Sequence, residues 1–372
     1  MNWCKSCILP DSRPGVVLNS KGICGACKNA LEKEDVIDWN KREHEFYRLL
    51  DSVKNNCSGY DCLIPVSGGK DSTWQVVKCL QLGLKPLTLT WKTPGRTVIG
   101  QQNLDNLVSL GVDHIDWQIS PVVEKKFMLK AFEKYGSTAI PMHMAIHAMP
   151  LTIAAKMNIP LVIYGENSAF EYGSGEDNSL TGYRLDSNWR KKYGVTHGTT
   201  AIDWIDNELT EEELIPYFGP TDEELDEKQI KAVFLGHYYK WDVNTSLEVA
   251  TKHGFKSGRI ARTGIYDYAD IDDNFISVHH WMKWFKFGIT RSFDNYSIEI
   301  RAGRITRNEA LNFLLQRGEE RPLEDIEAVC SFMGIEVERF FEIAEKHRNL
   351  EIWKKVKNKW CIPDFILKEW LW

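Results

Sequence analysis

The hexapeptide Ser67-Gly-Gly-Lys-Asp-Ser72 concentrates the most chemistry in this 372-residue chain. Gly68 and Gly69 allow positive φ and close approach of the backbone to a ligand. Ser67 and Ser72 add hydroxyl donors, Lys70 supplies charge, and Asp71 can hold Mg²⁺ or cap a helix. A short apolar run, Asp61 to Val66, precedes the hexapeptide, and a helical pattern from Ser72 to Leu82 follows it. A glycine turn in that setting leaves backbone N–H groups at a helix N-terminus, where they cradle phosphate. The spacing is not Gly-x-x-x-x-Gly-Lys-Ser/Thr, so a Walker A loop is excluded. The second chemical set is Cys4-x2-Cys7 and Cys24-x2-Cys27, sixteen residues apart. That is the spacing of two zinc knuckles, which close four thiolates tetrahedrally around a structural Zn²⁺. Buried reduced thiols or an iron–sulfur cluster are the alternatives. Cys57, Cys62, Cys79, Cys330 and Cys361 show no pair spacing and read as ordinary thiols.

The elements around the hexapeptide follow a regular alternation. Strands are expected at 61–66, 86–91, 114–119, 161–164 and 232–239, and helices at 72–82, 98–110, 121–135, 144–157 and 243–253. Strands separated by helices imply parallel βαβ units and a doubly wound α/β sheet. We therefore expect a zinc-binding module at 1–30, a linking helix at 31–58, a nucleotide domain at 59–300 and a helical region at 301–372. Pro322 and Pro363 are expected in first helical turns of that last region. Residues 165–200 are rich in Gly, Ser, Asn and Tyr and lack periodicity, the mark of a functional loop. Between 203 and 228 lie eleven carboxylates and one lysine. Thr210-x-x-Glu213 and Thr221-x-x-Glu224 fit capping boxes, which suggests a solvated helical excursion; a docking face for a basic partner is the alternative. Asp267 to Asp273 is an acidic, Tyr-containing loop, and 287–303 reads as a charged binding loop.

Composition limits the function. Hydrophobic residues are 43% of the chain and charged residues 26%, enough for a large core without disulfides. The formal charge of −6 argues against a general polyanion binder, and no nucleic acid is expected. No run of eighteen apolar residues occurs, and the N-terminus lacks the apolar stretch of a secretory signal. The expected location is cytoplasmic, where nine cysteines point to metal binding or free thiols.

Ser-Gly-Gly-Lys-Asp-Ser at 67–72 resembles the PP-loop of ATP pyrophosphatases, which cleave ATP between the α- and β-phosphates. Cys-x-x-Cys-x-Leu-Pro-Asp-x-Arg-Pro-Gly at 4–15 is similar to the start of bacterial N-acetyl sugar amidotransferases of the WbpG/PseA type. So are Gly-Glu-Asn-Ser-Ala-Phe-Glu-Tyr-Gly at 165–173, Phe-Gly-x-x-Arg-x-x-Asp from 287, and Ile-Arg-x-Gly-x-Ile-Thr-Arg at 300–307. The resemblance runs over nearly the whole chain and implies an adenine nucleotide α-hydrolase-like fold. It implies conversion of an acetamido group to an acetamidino group on a precursor for lipopolysaccharide O-antigen or flagellin glycans. ATP would adenylate the amide oxygen, ammonia would displace AMP, and pyrophosphate would be released. Ammonia would come from a HisH-like glutaminase, with a HisF-like subunit as a further partner candidate. The acceptor would be a nucleotide-linked or lipid-linked amino sugar.

The resemblance assigns phosphate and Mg²⁺ binding to Ser67, Gly68, Gly69, Lys70, Asp71 and Ser72, with Lys70, Asp71 and Glu166 as catalytic candidates. Thr90 and Trp91, ending the second strand, and Gly165, ending the fourth, are further nucleotide-site candidates. Glu171, Arg291, Asp294 and Arg301 are candidates for substrate binding. His143 and His147 share a helix face and read as packing or substrate residues. A tRNA sulfur-transfer enzyme is the alternative function, and a non-catalytic ATP-binding scaffold a third. The lack of paired cysteines after residue 27 and the acidic middle argue against the first, and the intact Lys70-Asp71-Ser72 against the second.

Overall fold

A computed structural model describes residues 1–54, 59–173, 184–318 and 320–367; Cys57 and part of the expected 165–200 loop lie outside them. Five parallel strands form the central sheet: β1 (Cys62–Pro65), β2 (Pro86–Trp91), β3 (Asp113–Trp117), β4 (Leu161–Tyr164) and β5 (Lys231–Phe234). Their order is β3-β2-β1-β4-β5, so the winding reverses between β1 and β4. Alternate side chains leave opposite faces of a strand, and both faces here are apolar. Cys62, Ile64, Leu161, Ile163 and Val233 enter one core, while Leu63, Leu87, Val162, Ala232 and Phe234 enter the other. Helices cover both faces, the doubly wound arrangement the alternation predicts.

The first helices are α1 (Gly25–Asp35) and α2 (Trp39–Lys54), so the stretch read as one linking helix contains a break at 36–38. Around the sheet come α3 (Lys70–Gln81), α4 (Val98–Val108), α5 (Pro121–Tyr135) and α6 (Ile140–Met157). After β4 follow α7 (Ser168–Tyr172), α8 (Ser187–Tyr193) and α9 (Asp222–Glu227). Phe46, Leu50, Trp74 and Leu104 pack on one face of the sheet, and Phe127, Ile140 and Met149 on the other. β5 ends at Phe234 and turns at once into α10 (Leu235–Tyr238), shorter than the expected strand, before α11 (Val243–Lys252).

The acidic block is anchored: Leu209, Leu214, Tyr217 and Leu225 are buried in the sheet core. Thr221 and Glu224 form a reciprocal capping box on α9. Thr210 and Glu213 make the same exchange, yet it closes only a turn ahead of the 3₁₀ segment Ile215–Tyr217. Several of the acids pair with helix α5: Lys126 donates to Glu213 at 2.6 Å and Lys130 to Glu208 at 2.9 Å.

The C-terminal part contains α12 (Ile276–Phe287), α13 (Arg291–Arg301), α14 (Arg307–Arg317), α15 (Leu323–Met333) and α16 (Val337–Lys346). The expected binding loop at 287–303 is largely helix α13. Its charges mislead because they face inward: Asp294 is fully buried among cations. Two further expectations need correction. Pro322 sits before α15 as its N-cap, and the end of the chain is a hairpin, β6 (Lys354–Val356) with β7 (Lys359–Cys361), followed by Pro363 in a turn. Lys357 and Asn358 both take positive φ, the demand of a two-residue hairpin turn, and Asn tolerates it well.

Candidate functional site

The crevice at a reversal of strand order is where open α/β sheets bind ligands. Here it opens at the C-terminal ends of β1, β2 and β4 as a cleft of about 570 Å³, within the range that holds small molecules. Its walls include Ser67, Gly69, Lys70, Asp71, Ser72, Thr90, Trp91, Gly165 and Glu166. Gly68, between Ser67 and Gly69, has φ +86°, and a Cβ there would run into the backbone of Asn103 and Leu104. Gly69 is the N-cap of α3, and no side chain caps it. Ser72 Oγ and Thr73 Oγ1 instead donate to the Gly69 carbonyl, both at 3.0 Å. This uncapped helix end faces the cleft as an anion seat.

Lys70 Nζ donates to both Asp71 oxygens at 2.6 and 2.7 Å, and Trp241 Nε1 donates to Asp71 Oδ1 at 2.9 Å. Thr90 Oγ1 donates to the Val66 carbonyl, tying β2 to the loop, and Trp91 Nε1 donates to buried Glu124 at 2.7 Å. Burial, aided by the nearby Asp71 charge, raises the Glu166 carboxyl to about 7. Such a group can carry a proton near neutral pH.

The acidic loop contributes more than its sequence suggested. Tyr266, Tyr268, Asp270, Asp272 and Asp273 line the cleft. Two backbone bonds pin the loop across α4's start: Thr97 N–H donates to the Asp272 carbonyl and Asn274 N–H to the Gly95 carbonyl. Burial raises Asp273 to about 7. Burial would raise Asp270 too, but Arg291 and His280 hold it well below the usual carboxylate range. His143 and His147 also line the cleft, and burial lowers them to about 4 and about 3, so both are neutral at pH 7. His143 Nδ1 donates to the Ala139 carbonyl at 2.7 Å, which leaves Nε2 as the acceptor. An aromatic group of Tyr164, Trp189, Tyr193 and Phe234 completes that end.

Of the four residues expected at the substrate, the cleft wall includes Arg291 but not Glu171, Asp294 or Arg301. Glu171 accepts from Lys33 Nζ at 2.7 Å, tying α7 to α1. Asp294 accepts from Arg13 Nε at 2.7 Å and Lys283 Nζ at 2.9 Å. Arg301 Nη2 donates to the Glu171 carbonyl at 3.1 Å. These three tie segments together behind the wall.

The four N-terminal cysteines converge. Their sulfurs all lie within 4.8 Å of one another, with Cys4–Cys27 at 3.9 Å and Cys7–Cys24 at 3.7 Å. Zn–S bonds of ~2.3 Å in a tetrahedron require S···S edges of ~3.8 Å, so the spacing fits one Zn²⁺. It leaves no space for a multi-iron cluster. The Cys24 N–H donates to Cys4 Sγ, and Arg307 Nε donates to the Cys7 carbonyl. Ile8, Leu9 and Val16 of the module share a core with Ile289, Phe293, Ala310 and Leu314. Cys62, Cys79 and Cys330 are buried thiols and Cys361 is exposed.

Among solved structures, the chain is similar to a predicted subunit of tRNA methyltransferase from Methanocaldococcus jannaschii. The match has 17% identity, covers 51% of this chain and 73% of that one, and has a TM-score of 0.29. It is also similar to NMN synthetase from Francisella tularensis, at 13% identity over 72% of this chain and 94% of that one, with a TM-score of 0.32. No curated protein matches at a significant level. No helix among the described residues is long and apolar enough to cross a membrane. Residues 261–365 match the family described as LPS biosynthesis protein WbpG-like, C-terminal domain. That segment, which is similar to the WbpG-like C-terminal domain, supplies the acidic loop, Arg291 and the arginines beside the cysteine centre.

Proposed function

We propose that the protein is the synthetase subunit of an ATP-dependent amidotransferase that converts an acetamido group of a surface-glycan sugar precursor to an acetamidino group. The observation that carries the reading is the uncapped N-terminus of α3, with Lys70 and Asp71, at the strand-order reversal of a chain whose C-terminal part is WbpG-like. An amide oxygen is a poor leaving group, which is the chemical need for ATP. The amide oxygen attacks the α-phosphorus, the bond to the β-phosphate bridging oxygen breaks, and pyrophosphate leaves. Ammonia then adds to the imidate carbon, loses a proton, and AMP departs with the former amide oxygen.

In this scheme the N–H groups at the start of α3 hold the departing phosphates, joined by the hydroxyl of Ser67 and by that of Ser72 once it turns from the Gly69 carbonyl. Lys70 exchanges part of its contact with Asp71 for the growing negative charge. Mg²⁺ held at Asp71 would neutralise phosphate charge. Glu166 accepts the proton released as ammonia adds, the role its raised affinity for protons suits. Thr90 and Trp91 border the adenine. Ammonia is supplied by a partner glutaminase, since free ammonia is mostly NH₄⁺ at neutral pH. Among the described residues the cleft lining includes no cysteine, which favours nitrogen transfer over the sulfur transfer of the tRNA-modifying alternative.

The test is mass spectrometry of products from ATP, ammonium and a panel of nucleotide-linked and lipid-linked acetamido sugars. A sugar lighter by about one mass unit, with AMP and pyrophosphate, supports the proposal. ATP consumption only with tRNA and a sulfur donor would replace it by the alternative.

A further inference from the structure

Arg13 belongs to the loop between the two cysteine pairs, yet it reaches Asp294 on α13. Asp294 is fully buried and faces three cations: Arg13 Nε at 2.7 Å, Lys283 Nζ at 2.9 Å and Arg291 Nη1 at 3.9 Å. Arg291 is thus the loosest partner of the three. Its other close carboxylate among the described residues is Asp270, whose Oδ2 lies 3.4 Å from the buried Nε in an ion pair that forms no hydrogen bond. An arginine that lines a cleft, held by two long ion pairs and with a buried donor that makes no hydrogen bond, has capacity left for a better-placed acceptor. Arg13 also lies over the ring of Tyr172, another lining residue, at 5.4 Å. The loop carrying it is seated where Gly15, at φ +77°, has room for no side chain: a Cβ there would stand 3.0 Å from the Gly173 carbonyl oxygen.

We propose that Arg13 is a positioning residue for the cleft: by saturating Asp294 it keeps Arg291 from turning inward, leaving its guanidinium free to hold a phosphate oxygen of the bound nucleotide. The cysteine module, on this view, is part of the working wall, because it presents Arg13. Without Arg13, a buried carboxylate holds only one short ion pair, and Arg291 is the nearest cation able to supply a second. Closing from 3.9 Å to a charge-assisted bond of about 2.8 Å would draw the guanidinium out of the cleft. The identity of the phosphate ligand rests on the nucleotide reading of the site; the displacement of Arg291 does not.

The experiment uses the full chain with R13M and R13M/D294N, each checked for zinc content. Affinity for Mg²⁺-α,β-methylene-ATP is measured by calorimetry, and the ligand-free R13M crystal structure is determined. R13M should retain zinc and lose at least ~10-fold in affinity. R13M/D294N, having no carboxylate to capture Arg291, should recover most of that loss, which a merely structural role for Arg13 would not produce. In the R13M structure Arg291 should sit against Asp294. An unchanged 3.9 Å separation overturns the proposal, as does a binding loss that removing Asp294 fails to rescue. If wild-type protein does not bind the analogue, the nucleotide reading fails and the crystal structure alone decides the role of Arg13. Should R13M not yield zinc-loaded protein, R13K and R13K/D294N carry the same comparison, and equal affinity of R13K and R13K/D294N below wild type overturns the proposal.

Discussion

Replacing Gly68 by alanine isolates the geometry on which the anion seat depends. Gly68 has φ +86°, and a Cβ there would stand 2.6 Å from the Leu104 nitrogen, 2.8 Å from its α-carbon and 3.0 Å from the Asn103 carbonyl carbon. These are backbone atoms of α4, and α4 cannot easily give way. Asn103 Nδ2 donates to the Lys256 carbonyl and accepts from the Lys256 N–H through Oδ1, both at 2.9 Å. A left-handed backbone costs an L-residue about 1–2 kcal/mol, and forced overpacking about 1–3 kcal/mol. Together they make a loss of about 2–5 kcal/mol, or a displaced loop that relieves it. Gly69 is the internal control: its φ is −68°, and its Cβ would meet only the Ser67 hydroxyl at 3.3 Å. Gly69→Ala should therefore cost about 1 kcal/mol, the usual price of alanine at a helix N-cap. Urea unfolding and titration with Mg²⁺-α,β-methylene-ATP on both variants provide the assay. We expect Gly68→Ala to lose both stability and binding, and Gly69→Ala to keep most of each. A Gly68→Ala protein with wild-type midpoint and affinity would refute the reasoning.

Glu166 gives a pH test. A carboxyl raised on folding from about 4.3 to about 7 binds its proton more tightly in the native state, so stability falls as pH climbs between those values. Glu166→Gln should remove that part of the decline, worth about 4 kcal/mol at most; a variant whose thermal midpoint follows the wild type identically from pH 5 to pH 8 contradicts this. For the cysteine centre, elemental analysis should find one zinc per chain, and a strong chelator should lower the unfolding midpoint because metal affinity contributes directly to folding. A midpoint insensitive to chelation and to Cys27→Ser would rule out a structural ion. Binding of ATP should weaken at least ~10-fold without Mg²⁺, and Asp71→Asn should blunt that dependence; calorimetry with and without the ion tests both, and equal affinities in wild type would count against Asp71 as a metal holder.

The sheet was readable because its inner strands are short apolar runs, as in Leu161–Tyr164, which is buried on both faces, and because punctuation such as Pro86, Gly111 and Pro160 bounds them. The C-terminal region was harder to read. In α13 the charges of Arg291, Asp294 and Arg301 find partners inside the protein, whereas a pattern argument sends charge to solvent. The terminal hairpin rests on Lys357-Asn358, a turn pair weaker as a signal than Asn-Gly.

The same physics explains which site residues the sequence yielded. A glycine-rich turn announces itself because its function needs an unusual backbone, and that need is written in adjacent residues. The other side of the cleft is assembled from three separate stretches, at 143–147, 241 and 266–273, which no local spacing connects to one another. The acidic loop and the His143/His147 pair left traces, but the one equally suits a solvated surface and the other core packing. The loop's placement changes the electrostatic problem. Lys70, Arg96 and Arg291 share the cleft with Asp71, Glu166, Asp270, Asp272 and Asp273, and each of the three cations already has a carboxylate within 4.0 Å. Burial raises Glu166 and Asp273 to about 7 and pushes Asp272 in the same direction, which lowers the negative charge a phosphate would meet. An anionic ligand in such a site depends on oriented N–H groups and on cations released from existing pairs. A cleft built this way favours a polyphosphate that arrives with its own divalent counter-ion over a bare one.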